Sequence, residues 1–253
     1  MLAHDNLEEF GDPANYDLEE APGSQARIGF YGDLVAQAGG PVLELACGSG
    51  LVTLAVAARG LDVTGVDIAR PMLAHAHAKA RQQGLHVNWI EADARAFDLG
   101  RRFRAIYLTG NAFQAFLSRE DQARMLACVK RHTETNAVFA FETRNPSGHD
   151  LNDQPEEEFW QSYTSVQGHR VTVSGKQRFD APAQVMHWTT CRRWNDGERE
   201  HNRQTRIACR FTYPQELAAL LRDNGLRIVE QFGDWDRTPV AANSQHLITI
   251  CRV

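Results

Sequence analysis

Between residues 41 and 143 the chain alternates two kinds of hydrophobic pattern. Short segments near 42–45, 61–66, 87–90 and 104–108 are apolar at most positions, and the stretches between them carry apolar residues three or four apart. The first kind predicts strands buried on both faces, and the second predicts amphipathic helices. Strand and helix in turn predict an α/β fold with a doubly wound parallel sheet. The first helix is expected to begin near Ser49, with the hydroxyl as its cap, and to stop at Gly60. The second follows Pro71 and ends at Gly84, and the third runs over 118–133 with Ser118 as cap, Glu120 and Asp121 in its first turn, and Met125, Leu126 and Val129 on its buried face.

From 145 to 211 the period falls to two. Segments 170–179, 184–194 and 204–211 are separated by Asp180-Ala181-Pro182 and Asn195-Asp196-Gly197, which predicts an antiparallel meander. A helix from Tyr213-Pro214 to Gly225 and two strands, 227–232 and 246–252, complete the chain. The expected organisation is an arm and helix over 1–40, a core over 41–144 and 212–253, and an insertion over 145–211.

The first strand leads into Glu44-Leu45-Ala46-Cys47-Gly48-Ser49-Gly50, and the second ends on Asp67. A glycine turn opening a helix, with an acid about twenty residues on, suits a nucleotide cofactor whose ribose diol meets the carboxylate. The pyrophosphate fingerprint has three glycines, the last inside the helix. Here only Gly48 and Gly50 are present, and Glu44 at the strand end repels a pyrophosphate while attracting an ammonium.

These residues resemble motif I of the class I S-adenosylmethionine-dependent methyltransferases, with Ala46 where the full motif has its first glycine. Asp67-Ile68 is similar to the family's second motif, acid for the ribose and an apolar residue against adenine. Asp93-Ala94 is similar to the third, and Thr109-Gly110-Asn111 falls where the fourth faces the transferred methyl. The resemblance implies a Rossmann-like seven-stranded sheet closed by the last two strands, with the meander roofing the acceptor pocket. It implies S-adenosylmethionine as cofactor, bound by Tyr16, Glu44, Ala46, Cys47, Gly48, Gly50, Asp67, Ile68, Met72, Asp93, Ala94, Thr109 and Gly110. The acceptor is expected against Asn111, Phe113, Phe116 and Trp235, with Asn111 and Asp234 as catalytic candidates. Relatives often have a histidine where this chain has Ala115.

Methyl transfer from a sulfonium needs alignment and exclusion of water more than it needs catalytic groups. A phenol or hydroxyl acceptor usually needs a base, whereas an amine needs only a proton sink. Glu142, Arg144, His149, His169, His187, His201 and His246 are further polar candidates, and none stands out. No metal-ligand cluster is apparent, so an N-methyltransferase acting on a small amine or nitrogen heterocycle is expected. An O-methyltransferase is the nearest alternative; an NAD(P)-dependent oxidoreductase and a non-catalytic cofactor-binding protein are alternatives of another class. Phe113, Phe116 and Trp235 tilt the expectation toward a flat heteroaromatic such as an azapteridine, with amino sugars also open.

At 253 residues, 43% hydrophobic and 23% charged, the chain is long enough for one large core. A net charge of −5 supplies no broad cationic field, which disfavours a nucleic-acid partner. The arginines at 192, 193, 199, 203, 206 and 210, interleaved with Glu198 and Glu200, suggest a solvated sheet face. Five scattered cysteines suggest reduced thiols. With acidic residues near Met1 and no long apolar run, a cytoplasmic monomer or homodimer without a membrane anchor is expected.

Overall fold

The computed structural model describes residues 6–20, 24–145 and 151–253. A 3-10 turn (Leu7–Gly11) and α1 (Pro13–Glu20) form an N-terminal arm, followed by α2 (Ser24–Ala38). The core then runs β1 (Val42–Leu45), α3 (Leu51–Ala57), β2 (Val63–Asp67), α4 (Arg70–Gln82), β3 (Asn88–Glu91), β4 (Phe103–Leu108), α5 (Arg119–Arg131) and β5 (Thr133–Arg144). Four strands follow, β6 (Gln154–Thr164), β7 (Arg170–Asp180), β8 (Val185–Asn195) and β9 (Glu200–Arg210). The chain returns to the core through α6 (Pro214–Asp223), β10 (Arg227–Phe232) and β11 (His246–Arg252).

Seven strands make one sheet in the order β10-β11-β5-β4-β1-β2-β3. The five strands β1 to β5 run parallel, and β11 lies antiparallel between β5 and β10. Adjacent positions on the central strands feed opposite faces. Leu43, Leu45, Ile106, Leu108, Phe139 and Phe141 pack under α5 and α6, while Val42, Ala105, Tyr107, Val138 and Ala140 pack under α2 and α3. Both faces are therefore covered, which is why these strands read as continuous apolar runs. Strand order reverses between β1 and β4, so their carboxyl ends part and leave a crevice.

Local chemistry explains most element boundaries. Ser118 caps α5 by accepting from the Asp121 amide at 3.0 Å, as its sequence predicts. Ser49 does not cap α3. Gly50 is the N-cap, in the left-handed conformation at φ 77°, and the Ser49 hydroxyl donates instead to Asp17 of the arm. A Cβ at Gly50 would lie 2.7 Å from the Trp89 ring, a second reason for glycine there.

The insertion is a separate antiparallel sheet in the order β6-β7-β8-β9. The meander is thus one strand larger than its sequence suggests. β6 is an edge strand exposed at seven successive positions, so it has no alternating pattern to detect. His169 lies in the Ser165–His169 turn before β7, not inside a strand. Among the described residues, no helix is long and apolar enough to cross a membrane.

Arg210, at the end of β9, latches this sheet to the core. Its guanidinium donates to Gln184 Oε1 and Glu216 Oε1, each at 2.6 Å, and to Thr212 and Gln122 near α5 and α6. The side chain is 9% exposed, so removing it strands buried acceptors and a carboxylate. Arg210→Met is expected to lower the free energy of unfolding by about 3 kcal/mol, read from urea melts. A loss below about 0.5 kcal/mol would show that the latch is dispensable.

Candidate functional site

A cavity of about 390 Å³ lies in the crevice at the carboxyl ends of β1, β2 and β4. The arm closes one side of it through Asn6, Leu7, Phe10, Tyr16 and Glu20, and β9 closes another through Ile207 and Cys209.

At its floor is Glu44, 1% exposed. Its position in β1 is fixed by parallel pairing with Gly65 of β2 and Tyr107 of β4. The carboxylate accepts from Tyr107 Oη and Thr109 Oγ1, each at 3.0 Å, and from Thr53 Oγ1 of α3. Burial pushes its pKa up to about 7, against the downward pull of those three hydroxyls. The cofactor loop follows. Ala46 takes φ 52°, a left-handed conformation that costs a non-glycine residue roughly 1 kcal/mol, which explains why the full motif prefers glycine at this place.

Asp67 closes the loop from β2. One carboxylate oxygen accepts from the Gly48 amide at 2.7 Å and the other from the Ala69 amide at 2.7 Å. Burial raises its pKa, and these amides oppose the shift. Ile68, Met72 and Ala94 form an apolar stretch of the lining beyond it. Asp93 is held by Arg95, whose Nε reaches Oδ1 at 2.9 Å and Nη2 reaches Oδ2 at 2.7 Å. Burial raises the Asp93 pKa, but the Arg95 hydrogen bonds and charge outweigh it and the net shift is downward. Arg95 also donates to Asp121 at 2.9 Å, so both carboxylates at this end are already paired.

On the far wall, Gly110 and Asn111 are consecutive left-handed residues, at φ 65° and 60°. They are pinned from two sides. Thr109 is bonded to Glu44, and the Gly110 amide donates to Glu142 Oε1 at 2.7 Å. Asn111 Oδ1 is buried in the cavity wall without a hydrogen-bond partner, and so is Arg27 Nε. Arg27 approaches Glu20 and Glu142 only at 3.8 and 3.9 Å. Tyr16 packs edge-on to Phe10, and burial, reinforced by Glu20, drives its phenol far above its ordinary range.

Of the residues expected at the cofactor, Tyr16, Glu44, Ala46, Cys47, Gly48, Asp67, Ile68, Met72, Asp93, Ala94, Thr109 and Gly110 line this one cavity, and so do Asn111 and Phe116. Four expected residues stand elsewhere. Gly50 is behind the loop as the α3 cap. Phe113 is wholly buried and stacks on Phe141 with ring centroids 4.5 Å apart, so its ring belongs to the core. Trp235 packs on His246 at 4.3 Å and sends Nε1 toward Glu142 Oε2 at 3.4 Å, behind the cavity wall. Asp234 is exposed and accepts from the Trp235 amide.

The other polar candidates are also outside the lining. Glu142 supports the 109–111 loop, Arg144 lies over Trp188, His187 is on β8, and His201 stacks on Trp194 and bonds Asp196. His149 falls outside the described residues. Arg27, Glu20, Arg95, Asp121, Ile207 and Cys209 were not expected at the site. Arg27, Glu20, Ile207 and Cys209 come from α2, the arm and the insertion, distant in sequence from the glycine loop, whereas Arg95 directly follows Asp93-Ala94 and pairs with Asp121 of α5.

Comparison with known proteins agrees with this geometry. Residues 42–136 match the family described as a methyltransferase domain. The ubiquinone biosynthesis O-methyltransferase of Pseudomonas putida is 34% identical over 82 residues, 32% of this chain and 35% of that protein. The chain therefore spans about a third of the length of the curated relatives it matches. Among solved structures, the CcbJ methyltransferase of Streptomyces caelestis superposes with a TM-score of 0.82 at 23% identity, over 96% of this chain and 97% of that one. The sugar N-methyltransferase KedS8 of Streptoalloteichus gives 0.74 at 18% identity, over 94% and 93%; these are likenesses of fold. Residues 42–136 thus match a methyltransferase domain, and the chain shares its fold with solved S-adenosylmethionine-dependent methyltransferases.

Proposed function

We propose that the protein transfers a methyl group from S-adenosylmethionine to the nitrogen of a small molecule enclosed between the core, the arm and the β6–β9 sheet. The observation that carries this reading is the pairing of opposite charges in one cavity. Glu44 offers a carboxylate and Arg27 an unpartnered guanidinium donor, which together suit the ammonium and carboxylate of an amino-acid end. Asp67 retains lone pairs for a ribose diol, and Ile68, Met72 and Ala94 suit a flat purine. When bound, the cofactor supplies an activated methyl on a sulfonium. The chain's own residues would then hold the acceptor in line and keep water out.

Two features favour nitrogen over oxygen. No histidine lines the cavity among the described residues, and its carboxylates are engaged: Glu44 by hydroxyls, Asp67 by amides, Asp93 and Asp121 by Arg95, while Glu20 faces the Arg27 guanidinium at 3.8 Å. An alcohol would lack a ready base there, whereas an amine needs alignment and releases its proton to water. The free Asn111 Oδ1 is an acceptor suited to an N–H. Of the three aromatics expected at the acceptor, only Phe116 lines the cavity, with Phe113 in the core and Trp235 behind the wall; the arm's Phe10 and Tyr16 also line it but stand edge-on to each other. A small amine, amino sugars included, is the better reading.

Titration calorimetry with S-adenosylmethionine tests the reading directly. Binding should be weakened about tenfold or more by Asp67→Ala, the loss of one charged hydrogen-bonding group. Unchanged affinity would remove Asp67 from the site. Asn111→Ala should leave cofactor affinity within about threefold while slowing product formation, followed by mass across a panel of small amines, by roughly a hundredfold. Equal turnover by the two proteins would move the acceptor elsewhere.

Glu44 adds a pH signature. Its folded pKa lies above that of a free carboxyl, so its contribution to stability is complete at low pH and is lost as pH rises through about 7. A cationic ligand favours the carboxylate and reverses the shift. Cofactor affinity should therefore rise between about pH 6 and 8, with proton release detectable near pH 6 from the buffer dependence of the heat, and Glu44→Gln should abolish both. A pH-independent affinity in the wild type would mean that Glu44 does not meet the cation.

A further inference from the structure

Arg192 belongs to the arginine run whose pattern suggests a solvated sheet face, yet its side chain is only 10% exposed. It sits in β8 and does not line the cavity. Its Nε and Nη2 grip Glu19 at 2.8 and 3.0 Å, a bidentate fork. Nη2 also meets Glu9, and Nη1 donates to Thr205 of β9 at 3.0 Å. Glu9 and Glu19 are 10% and 12% exposed and stand near the two ends of the arm. Between or beside them in sequence are Leu7, Phe10, Tyr16 and Glu20, which face the cavity.

The arm's remaining anchors divide unequally. Asn6 exchanges two hydrogen bonds with the Ala208 backbone, Asn15 accepts from the Val166 amide, and Asp12 pairs with Arg203, all in the β6–β9 sheet and its turns. On the core side, Asp17 gathers Ser49, His75 and Lys79, and Glu20 faces Arg27 of α2 at 3.8 Å. The arm is thus built as an extension of the insertion and clasped to the cofactor loop at one carboxylate.

We infer that Arg192 is a positioning residue for the cavity: by fixing Glu9 and Glu19 it welds the arm to the β6–β9 sheet and sets the arm's side chains against the bound cofactor. A buried ion network is a weak source of stability compared with an apolar filling of the same volume. What a guanidinium fork does supply is direction, since its planar donors match one carboxylate in one orientation. That directionality holds two separated arm residues in register on the sheet. The inference rests on the proposed function only in naming the ligand.

The test removes the whole network at once, so that no charge is left buried alone. Glu9→Gln/Glu19→Gln/Arg192→Met is compared with wild type and with Arg192→Lys by limited proteolysis, calorimetry with S-adenosylhomocysteine, and Tm. The expected result is cleavage within residues 6–20 faster by about tenfold and a Kd raised by about tenfold, with Tm nearly unchanged and Arg192→Lys intermediate. Unaltered cleavage and Kd would overturn the inference, as would cleavage spread over the whole chain with a matching fall in Tm, the mark of a merely structural role. If the wild type fails to bind S-adenosylhomocysteine, the functional reading fails, and accelerated or unaltered cleavage of the arm still decides the role of Arg192.

Discussion

A carboxylate buried at the end of a central strand constrains every element around it, because it must be satisfied from all sides or neutralised. Glu44 meets that demand by drawing hydroxyls from α3, β4 and the turn after β4. Each such bond returns about 1 kcal/mol, while burying the charge costs several. The balance leaves the group near half-protonation at neutral pH, open to an incoming cation. The same bonds fix Thr109, and Glu142 fixes Gly110 from the neighbouring strand, so two buried acids jointly hold Asn111 in a conformation it would not adopt freely.

This dependence explains which parts of the molecule were legible in the sequence. Buried parallel strands are apolar at nearly every position, and a glycine turn after an acid is a local signal, so the core and the residues at the strand ends were readable. Asp67, Asp93 and Thr109 all sit at carboxyl ends of strands, where topology alone brings them together. Strand β6 was not readable, since an exposed edge needs no buried face. Phe113 and Trp235 stand off the cavity lining, which their sequence does not signal, for a related reason. Aromatic residues near a site are equally suited to support it from behind, and only packing against Phe141 or His246 distinguishes the two.

Arginines show the limit most clearly. Arg192 and Arg210 are buried and Arg27 is half-buried, and each joins segments that are far apart in sequence. Arg192 and Arg210 fall in a stretch of alternating charge that suits a solvated strand face, and nothing in that pattern separates them from their exposed neighbour Arg193. Their partners Glu9, Glu19 and Glu216 lie outside the insertion, so a pairwise, long-range fact decides their environment.

The distribution of these arginines also says how the cavity is assembled. The parallel sheet provides Glu44, Asp67 and Asp93 on rigid strand ends, a frame that holds its geometry without the insertion's help. The opposing wall consists of an arm and a strand edge, segments with little apolar core of their own near the cavity, and polar bonds define their position. Leu7, Phe10 and Ile207 can exclude water only if that wall is held closely against the frame. Ion pairs suit this task better than apolar packing, because they fix orientation at modest net stability and can be broken and remade. A rigid acidic floor and a directionally tethered roof together make a closed site that a ligand can still enter.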